Sequence, residues 1–255
     1  MEEGMEFEPT LKLAQEKGYA EPDPSFDIEG TDAAHKIGIL SSLAFGSSLP
    51  PKDFYIEGIN GIHKDDFKYA YEMGYTIKHL AIAKSTNNSI DLRAHPSLVK
   101  LDSYLANLKG VRNGIEVETD LLGTLHLAGS GAGQESTASG IISDLVHLAN
   151  SSEEHLKAAS NEKVILSEFL NLTFQYYFYI EAEDIPGVMA SITSVFADKS
   201  VGLETIVQKE TLDENFVPIV IITDPFKEQD HSNLIENLEK LDSIKSVRTI
   251  RIEQD

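Results

Sequence analysis

A polar stretch at residues 151–172 divides this 255-residue chain into two parts with different hydrophobic patterns. The stretch reads SSEEHLKAASNEKVILSEFLNL, and its first half contains few large apolar residues. A shift in composition of this kind is typical of a linker between domains. We therefore predict one domain over residues 1–150, a linker over residues 151–172 and a second domain over residues 173–255.

The second part has a regular order of strand and helix patterns. Apolar runs rich in β-branched and aromatic residues alternate with two amphipathic segments, in the order strand, helix, strand, strand, helix, strand. In the first helical segment, apolar residues recur at helical spacing at Val188, Ile192, Val195 and Phe196. A βαββαβ order within about 80 residues predicts a ferredoxin-like fold.

The first part mixes strand-like and helical segments, which predicts an α+β fold with a helix-covered sheet. We expect a first helix to begin near Pro9 and to end at Gly18. A second helix should begin with Thr31 as its cap and end at Gly46. The positions of this second helix that we expect to face the core are Ala33, Ile37, Leu40 and Ala44.

Composition excludes several classes of protein and site. Lysine and arginine total 21 against 42 aspartates and glutamates, a net charge of −21. This charge argues against a nucleic-acid partner and an anionic membrane surface, because both require clustered positive charge. The chain has no cysteine, which excludes disulfides and thiolate zinc sites, and its eight histidines lack metal-binding spacing. Without a long apolar run or a signal-peptide pattern, we expect a soluble cytoplasmic protein with no bound metal.

The most informative motif is an acidic loop followed by a helix. Asp32 and Lys36 are four residues apart, so a helix places them on one side as an opposite-charge pair. Prolines stiffen the preceding loop, whose carboxylates include Glu21 and Asp27. Such carboxylates suit a substrate with an ammonium group, and a lysine can transfer a proton to or from an oxygen. The alternative is a solvated acidic surface, which is the usual meaning of a charge run.

The run AQEKGYAEPDPSFDIEGTDAAHK, residues 14–36, resembles the signature of homoserine dehydrogenases. That signature combines a glycine–aromatic pair, an acidic loop with prolines, and Asp-x-x-Gly-x-Asp followed by x-x-x-Lys. Its fixed positions correspond here to Gly18, Tyr19, Glu21, Pro24, Asp27, Gly30, Asp32 and Lys36. Further segments that resemble the family are FYIEGINGI (residues 54–62), GYTIKHLAIA (residues 74–83) and GSGAGQESTASGIISDL (residues 129–145).

The resemblance implies that residues 1–150 form the family's substrate-binding and dimerisation domain, with a mostly antiparallel sheet, in a homodimer. It implies that Tyr19 lines the pocket and that Glu21, Asp27, Asp32 and Lys36 contact homoserine or aspartate semialdehyde. Asp32 and Lys36 would be the catalytic pair closest to the reacting oxygen. The implied reaction is the NAD(P)-dependent interconversion of these two substrates, which serves threonine and methionine biosynthesis.

The glycine-rich segment at residues 129–133 follows an apolar strand and precedes a helix, as a dinucleotide-binding motif does. Gln134 stands where the third small residue of that motif belongs, so we expect no independent Rossmann site. The family resemblance implies instead that Gly131, Ala132 and Gly133 lie against the nicotinamide side of the cofactor, with backbone amides at a helix N-terminus.

The second part resembles an ACT domain, a small-molecule regulatory module of amino-acid metabolism. The resemblance rests on the βαββαβ order and on EDIPGVMASITSVFADKSVGLETIVQ, residues 183–208. It implies that the turn formed by Asp184, Pro186 and Gly187 binds an amino-acid effector such as threonine. The alternative is a turn without a ligand, because proline and glycine favour turns in any context.

Homoserine dehydrogenases also carry an N-terminal nucleotide-binding domain that has no counterpart in this sequence. The chain therefore resembles the back two-thirds of the enzyme, and we expect it to be inactive alone. Two functions stay open: part of a homoserine dehydrogenase, or a non-catalytic amino-acid sensor whose first domain only dimerises. The intact set of Glu21, Asp27, Asp32 and Lys36 favours the enzyme, because a sensor needs no Asp–Lys pair.

Overall fold

The computed structural model describes residues 7–46, 54–86, 89–131, 133–150, 165–209 and 215–253. We call residues 7–150 the first unit and residues 165–253 the second unit. Within the described ranges, the first unit contains α1 (Phe7–Glu16), α2 (Ser25–Ile28), α3 (Thr31–Phe45), β1 (Tyr55–Ile56), α4 (Lys64–Glu72), β2 (Tyr75–Thr86), β3 (Ser89–Lys100), β4 (Arg112–Thr119), β5 (Gly123–Ser130) and α5 (Gln134–Asn150). The second unit contains β6 (Thr173–Glu183), α6 (Val188–Asp198), β7 (Leu203–Gln208), β8 (Phe216–Thr223), β9 (Phe226–Lys227), α7 (Glu228–Glu239) and β10 (Ile244–Ile252).

The second unit has antiparallel strands with both helices on one face. Its strands lie side by side in the order β10-β6-β8-β7, and the short β9 pairs with the start of β6. The core between sheet and helices has these fully buried side chains among its members: Tyr176, Phe178, Ile180, Ile192, Phe196, Leu234 and Leu238. The element order confirms the predicted βαββαβ arrangement, and the strand order is that of the ferredoxin-like fold.

The two units share one sheet. β10 of the second unit runs parallel to β3 of the first, with Arg251 opposite Ser97 and Ile252 opposite Leu98. β3 also pairs with β1 in parallel and with β2 in antiparallel orientation. The result is an eight-stranded sheet, antiparallel except where β1 and β10 join β3. We call the pairing of β10 with β3 the joint between the units. The hydrophobic pattern that separates the two parts of the sequence does not predict this joint.

Helix α4 of the first unit covers the face of the shared sheet opposite to α6 and α7. Tyr69 and Ala70 of α4 belong to one buried cluster with Leu98, Tyr177 and Ile250. Because residues from both units form this cluster, its burial stabilises the joint as well as each unit.

An ion pair reinforces the contact of α4 with β10. Arg248 donates hydrogen bonds to both carboxylate oxygens of Asp66, with its Nε 3.1 Å from Oδ2 and its Nη2 3.1 Å from Oδ1. Asp66 is 1% exposed, and the guanidinium of Arg248 lies 3.9 Å from the ring centroid of Tyr179. A bidentate pair of this kind fixes the relative position of helix and strand.

The ends of the first helices agree only in part with the sequence. A glycine with positive φ follows α1 at Gly18, and α3 ends at Gly46, as predicted. The prediction that Thr31 caps α3 is wrong, because the cap is Gly30, with φ at +82°. The left-handed region favours glycine, so the chain turns into α3 one residue earlier than expected.

The core face of α3 also differs from the prediction. Ala33 and Ile37 are half-buried, but Leu40 and Ala44 are exposed, so these two expectations are wrong. The fully buried positions are instead Ala34, Gly38 and Ser41. These small side chains let α3 lie close to β2, which rotates the larger Leu40 toward solvent.

The hairpin β4–β5 and helix α5 present apolar side chains to solvent. The hairpin forms a separate two-stranded sheet, in which Ile115 lies opposite Leu127 and Val117 opposite Leu125 on one face. These four residues are between 38% and 59% exposed. Helix α5 has no buried residue among those described, and its exposed apolar residues are Ile141, Ile142, Leu145, Val146 and Leu148. Apolar surfaces of this extent mark interaction sites.

The last residues of the predicted linker pack against the first unit. Residues 151–164 lie outside the described part of the chain, whereas Leu166 forms a parallel bridge with Ile90 of β3. The ring of Phe169 stacks on Tyr55 of β1, with 3.8 Å between centroids. Residues 165–172, the first residues of the second unit, are therefore structured and lead into β6 from a position close to β1.

His231 of α7 is a buried histidine of the second-unit core, and it is 9% exposed. Its ring stacks on Tyr176 at 4.3 Å, and its Nε2 lies 2.9 Å from Oγ1 of Thr249. Burial lowers the pKa of His231 to about 4; the charge of Glu228 opposes this shift and that of Arg251 adds to it. The folded state therefore disfavours the protonated imidazole.

This pKa predicts a pH dependence of stability. In the unfolded chain the histidine titrates at its ordinary pKa of 6.5. Its contribution to the free energy of unfolding is therefore complete above pH 6.5 and is lost as the pH falls toward 4. We expect His231→Gln to reduce the loss of unfolding free energy between pH 7 and pH 5 by about 2 kcal/mol, measured by urea denaturation. An unchanged dependence in His231→Gln would contradict this origin.

Candidate active site

The structure brings Asp32 and Lys36 together on α3. The Lys36 ammonium nitrogen lies 2.5 Å from a carboxylate oxygen of Asp32, and their side chains are 56% and 35% exposed. Asp32 lies in the first turn of α3, where the helix dipole stabilises a negative charge. The predicted pair is therefore formed and open to a ligand. An ammonium held in this way can donate a hydrogen bond to a substrate oxygen.

The other predicted substrate residues lie on the exposed segment between α1 and α3, with Asp27 in the short helix α2. Tyr19, Glu21 and Asp27 are all exposed, and Tyr19 is 47% exposed. The side-chain amide of Gln15 donates to the backbone oxygens of Glu21, at 3.0 Å, and Pro22, at 3.3 Å, which fixes the loop on α1. The loop thus presents carboxylates to solvent on the stretch of chain that leads into α3.

Gly30 fixes the start of α3 against the first-unit sheet. Gly30 is buried, and a Cβ atom there would lie 2.9 Å from Nε2 of His79 and 3.1 Å from the backbone oxygen of Glu57. A Cβ atom at Gly58 would likewise collide with the backbone oxygen of Ile28. The segments around residues 28–30 and 57–58 are therefore in backbone contact, which only glycine allows.

Sequence reasoning did not identify Glu57 or His79 as parts of this region. The Nε2 atom of His79, on β2, lies 2.9 Å from the backbone oxygen of Glu57, so the two residues form a hydrogen bond beneath Gly30. The sequence feature that could have indicated this region is Gly58 within FYIEGINGI. A glycine between strand-forming residues often marks a place where another stretch of backbone comes close.

The glycine-rich segment leads from β5 into α5. The amide of Gly131 donates to the backbone oxygen of Val111 at 3.1 Å, and a Cβ atom at Gly131 would collide with the side chain of Asn113. Gly133 immediately precedes α5, and its backbone oxygen accepts from Oγ of Ser136 at 2.9 Å. Ala132 lies outside the described residues. The segment thus lies on a different element from Asp32 and Lys36.

The predicted effector turn lies at the start of α6 in the second unit. Asp184, Pro186 and Gly187 are exposed, and Gly187 is the N-terminal cap of α6. A carboxylate oxygen of Asp184 accepts a hydrogen bond from Nε2 of Gln208, on β7, at 3.2 Å. The structure therefore confirms the position of the turn between the first strand and first helix of this unit.

The described parts of the chain contain no group of three or more histidine, aspartate or glutamate side chains arranged to hold a metal ion. No helix within the same ranges combines the length and the apolar composition that crossing a membrane requires.

Comparison with known proteins assigns the family. The sequence profile of homoserine dehydrogenases matches residues 1–146. The homoserine dehydrogenase of Pseudomonas aeruginosa is 38% identical over an alignment of 264 positions, gaps included. The alignment covers 99% of this chain and 61% of the relative. The chain belongs to the homoserine dehydrogenase family. Another relative, the homoserine dehydrogenase of Helicobacter pylori, is 39% identical over 249 residues, covering 97% of this chain and 59% of the relative.

Solved structures of homoserine dehydrogenases agree with this assignment. The enzyme from Thiobacillus denitrificans superposes with a TM-score of 0.88 and 37% identity, covering 99% of this chain and 60% of that protein. The enzyme from Staphylococcus aureus, 24% identical with a TM-score of 0.69, supports the fold alone. The chain thus spans about 60% of the length of the homoserine dehydrogenases that it matches.

The contact beneath Gly30 predicts a marked effect of Gly30→Ala. A methyl group there would overlap His79 and the Glu57 backbone, whereas Gly18, at φ +70°, has no atom within 4 Å of a Cβ. Gly18→Ala should cost only the left-handed backbone strain, about 1–2 kcal/mol, and Gly30→Ala should cost more because of the added overlap. Thermal unfolding of the two variants measures the difference. Equal losses of stability would contradict the close contact.

Proposed function

We propose that this chain is the substrate-binding part of an NAD(P)-dependent homoserine dehydrogenase, which interconverts aspartate semialdehyde and homoserine in the cytoplasm. The observation that carries the proposal is the accessible Asp32–Lys36 pair, 2.5 Å apart, within the region that matches the family profile. The alternative, an amino-acid sensor without catalysis, leaves this pair without a role.

The arrangement of these residues supports a division of roles in the reaction. Glu21 and Asp27 carry exposed carboxylates that can accept hydrogen bonds from the substrate ammonium group. Tyr19 offers an exposed ring beside them to line the pocket. Lys36 then reaches the aldehyde oxygen at the other end of the substrate, with Asp32 holding its ammonium group in place.

The proton balance of the reaction follows from the Lys36 ammonium group. A reduced nicotinamide, held in part by the segment of Gly131 and Gly133, would supply the hydride to the aldehyde carbon. As negative charge develops on the oxygen, Lys36 donates a proton to it and forms the homoserine hydroxyl. Because the Lys36 side chain is 56% exposed, solvent can return the proton. In the oxidation direction, the neutral amine of Lys36 accepts the hydroxyl proton and becomes the ammonium group again.

The glycine segment can form only part of a cofactor site. Gly131 is exposed and Gly133 is half-buried just before α5, where backbone groups can approach a nicotinamide. We assign the rest of the cofactor contacts to a nucleotide-binding domain outside this chain. Hydride transfer requires reacting atoms about 3–3.5 Å apart, so we expect this chain alone to be inactive.

The second unit fits the role of an ACT regulatory domain. Its ferredoxin-like strand order and the exposed turn at Asp184, Pro186 and Gly187 support the binding of an amino-acid effector, for which threonine is our candidate. The exposed apolar face of the β4–β5 hairpin and α5 supports a homodimer, since such surfaces are usually covered by a partner.

Calorimetric titration with homoserine tests the substrate site. Lys36→Ala removes a charge-assisted hydrogen bond, which should weaken homoserine binding by about 10- to 100-fold. The matched control is Lys199→Ala, an exposed lysine at the end of α6 in the second unit, which should bind as the parent does. Unchanged affinity in Lys36→Ala would remove the assignment of this residue.

A second titration, with threonine, tests the effector site separately. Asp184→Ala should abolish the heat of threonine binding, because the carboxylate holds the turn to Gln208. Lys36→Ala should leave threonine binding intact. If the parent chain shows no heat with threonine, the effector is wrong; if Asp184→Ala keeps the heat, the site is elsewhere.

A further inference from the structure

The side chain of Arg251 joins the second unit to the first. Arg251 lies on β10 and is 5% exposed. Its Nε and Nη2 donate to the two carboxylate oxygens of Glu228, on α7, at 3.0 and 2.6 Å. Its Nη1 donates to the carboxylate of Glu57, directly after β1, at 2.5 Å, and its Nη2 lies 3.2 Å from the hydroxyl of Tyr55. One guanidinium thus binds acidic residues of both units.

Aromatic rings enclose this guanidinium. It lies 4.8 Å from the ring centroid of Tyr55 and 5.1 Å from that of Phe169, and these two rings stack on each other. The hydroxyl of Tyr55 also donates to the Glu57 carboxylate at 2.7 Å. The carboxylate of Glu57 therefore has two donors, both supplied by well-packed side chains, and its position is closely determined.

The backbone of Glu57 continues this chain of contacts to the substrate helix. Its oxygen accepts a hydrogen bond from His79, and it would lie 3.1 Å from a Cβ atom placed at Gly30. Gly30 is the cap of α3, and Asp32 follows two residues later. The path from Arg251 to the start of α3 therefore runs through the ion pair with Glu57 and then through the backbone contact of residues 57–59 with residues 28–30, where the Ile59 amide donates to the Ile28 oxygen at 2.9 Å.

We propose that Arg251 is a positioning residue for the substrate site: it holds Glu57, whose backbone supports Gly30, and so sets the place of Asp32 and Lys36. The importance of this role for catalysis rests on the function proposed above, whereas the contacts themselves are independent of that function. Because Arg251 also binds Glu228 of α7, a movement within the second unit would reach the substrate helix by this path. The joint thereby gives an effector of the second unit a route to the active site.

Arg248 provides a control on the same strand. It lies on the opposite face of β10 and also forms an ion pair between the units, but its partner is Asp66 of α4. Loss of either arginine removes the cation that pairs with a carboxylate between the units and should weaken the contact between them. Only the loss of Arg251 removes a contact of Glu57.

Hydrogen–deuterium exchange measured by mass spectrometry tests the proposal directly. In Arg251→Met, amides of residues 27–36 should exchange about tenfold faster than in the parent, because the support of Gly30 is released. In Arg248→Met, the faster exchange should occur in α4, with residues 27–36 as in the parent. Equal acceleration of residues 27–36 in both variants would indicate general loosening and overturn the proposal.

A milder variant keeps the test valid if Arg251→Met does not fold. The side chain of Glu57 is 37% exposed, so Glu57→Ala should fold, and it should reproduce the faster exchange of residues 27–36. Glu57→Gln retains an acceptor for Arg251 and Tyr55 and should restore slow exchange in part. Slow, parent-like exchange in Glu57→Ala would overturn the proposal.

Homoserine titration of the same variants separates this proposal from the proposed function. Arg251→Met should bind homoserine several-fold more weakly, whereas Arg248→Met should bind it as the parent does. If the parent chain does not bind homoserine, the proposed function fails while the exchange result stands. If the parent binds and Arg251→Met binds equally well despite faster exchange, the positioning role is wrong.

Discussion

The parallel pairing of β10 with β3 is the constraint on which the rest of the structure depends. It places Ile252 beside Leu98 and so merges the strands of both units into one sheet. Only with this pairing can α4 cover the second face of the sheet and contribute to a cluster with Tyr177 and Ile250. The same pairing brings Arg251 to the end of β1, where it meets Glu57.

Local features of the fold were predictable from the sequence because their causes are local. The βαββαβ order follows from alternating patterns, and the end of α3 follows from Gly46. The pairing of Asp32 with Lys36 needs only a helix and a spacing of four residues. These parts require no knowledge of what lies elsewhere in the chain.

The features that sequence reasoning missed depend on distant parts of the chain. The small residues of α3 became the buried ones because β2 approaches them, and Gly30 became the cap because of Glu57 and His79. Arg251 is 194 positions from Glu57, and no periodic pattern links the two. Contacts of this kind arise from strand pairing at long range, which hydrophobic spacing does not encode.

The role that we propose for the accessible Asp32–Lys36 pair is to receive the substrate oxygen, on a helix held by the joint between the units. A crystal structure of this chain grown with homoserine tests that claim most directly. We expect the homoserine hydroxyl within hydrogen-bonding distance of the Lys36 ammonium nitrogen and the substrate ammonium group beside Glu21 or Asp27. Homoserine bound away from α3, or with its hydroxyl turned away from Lys36, would contradict the account.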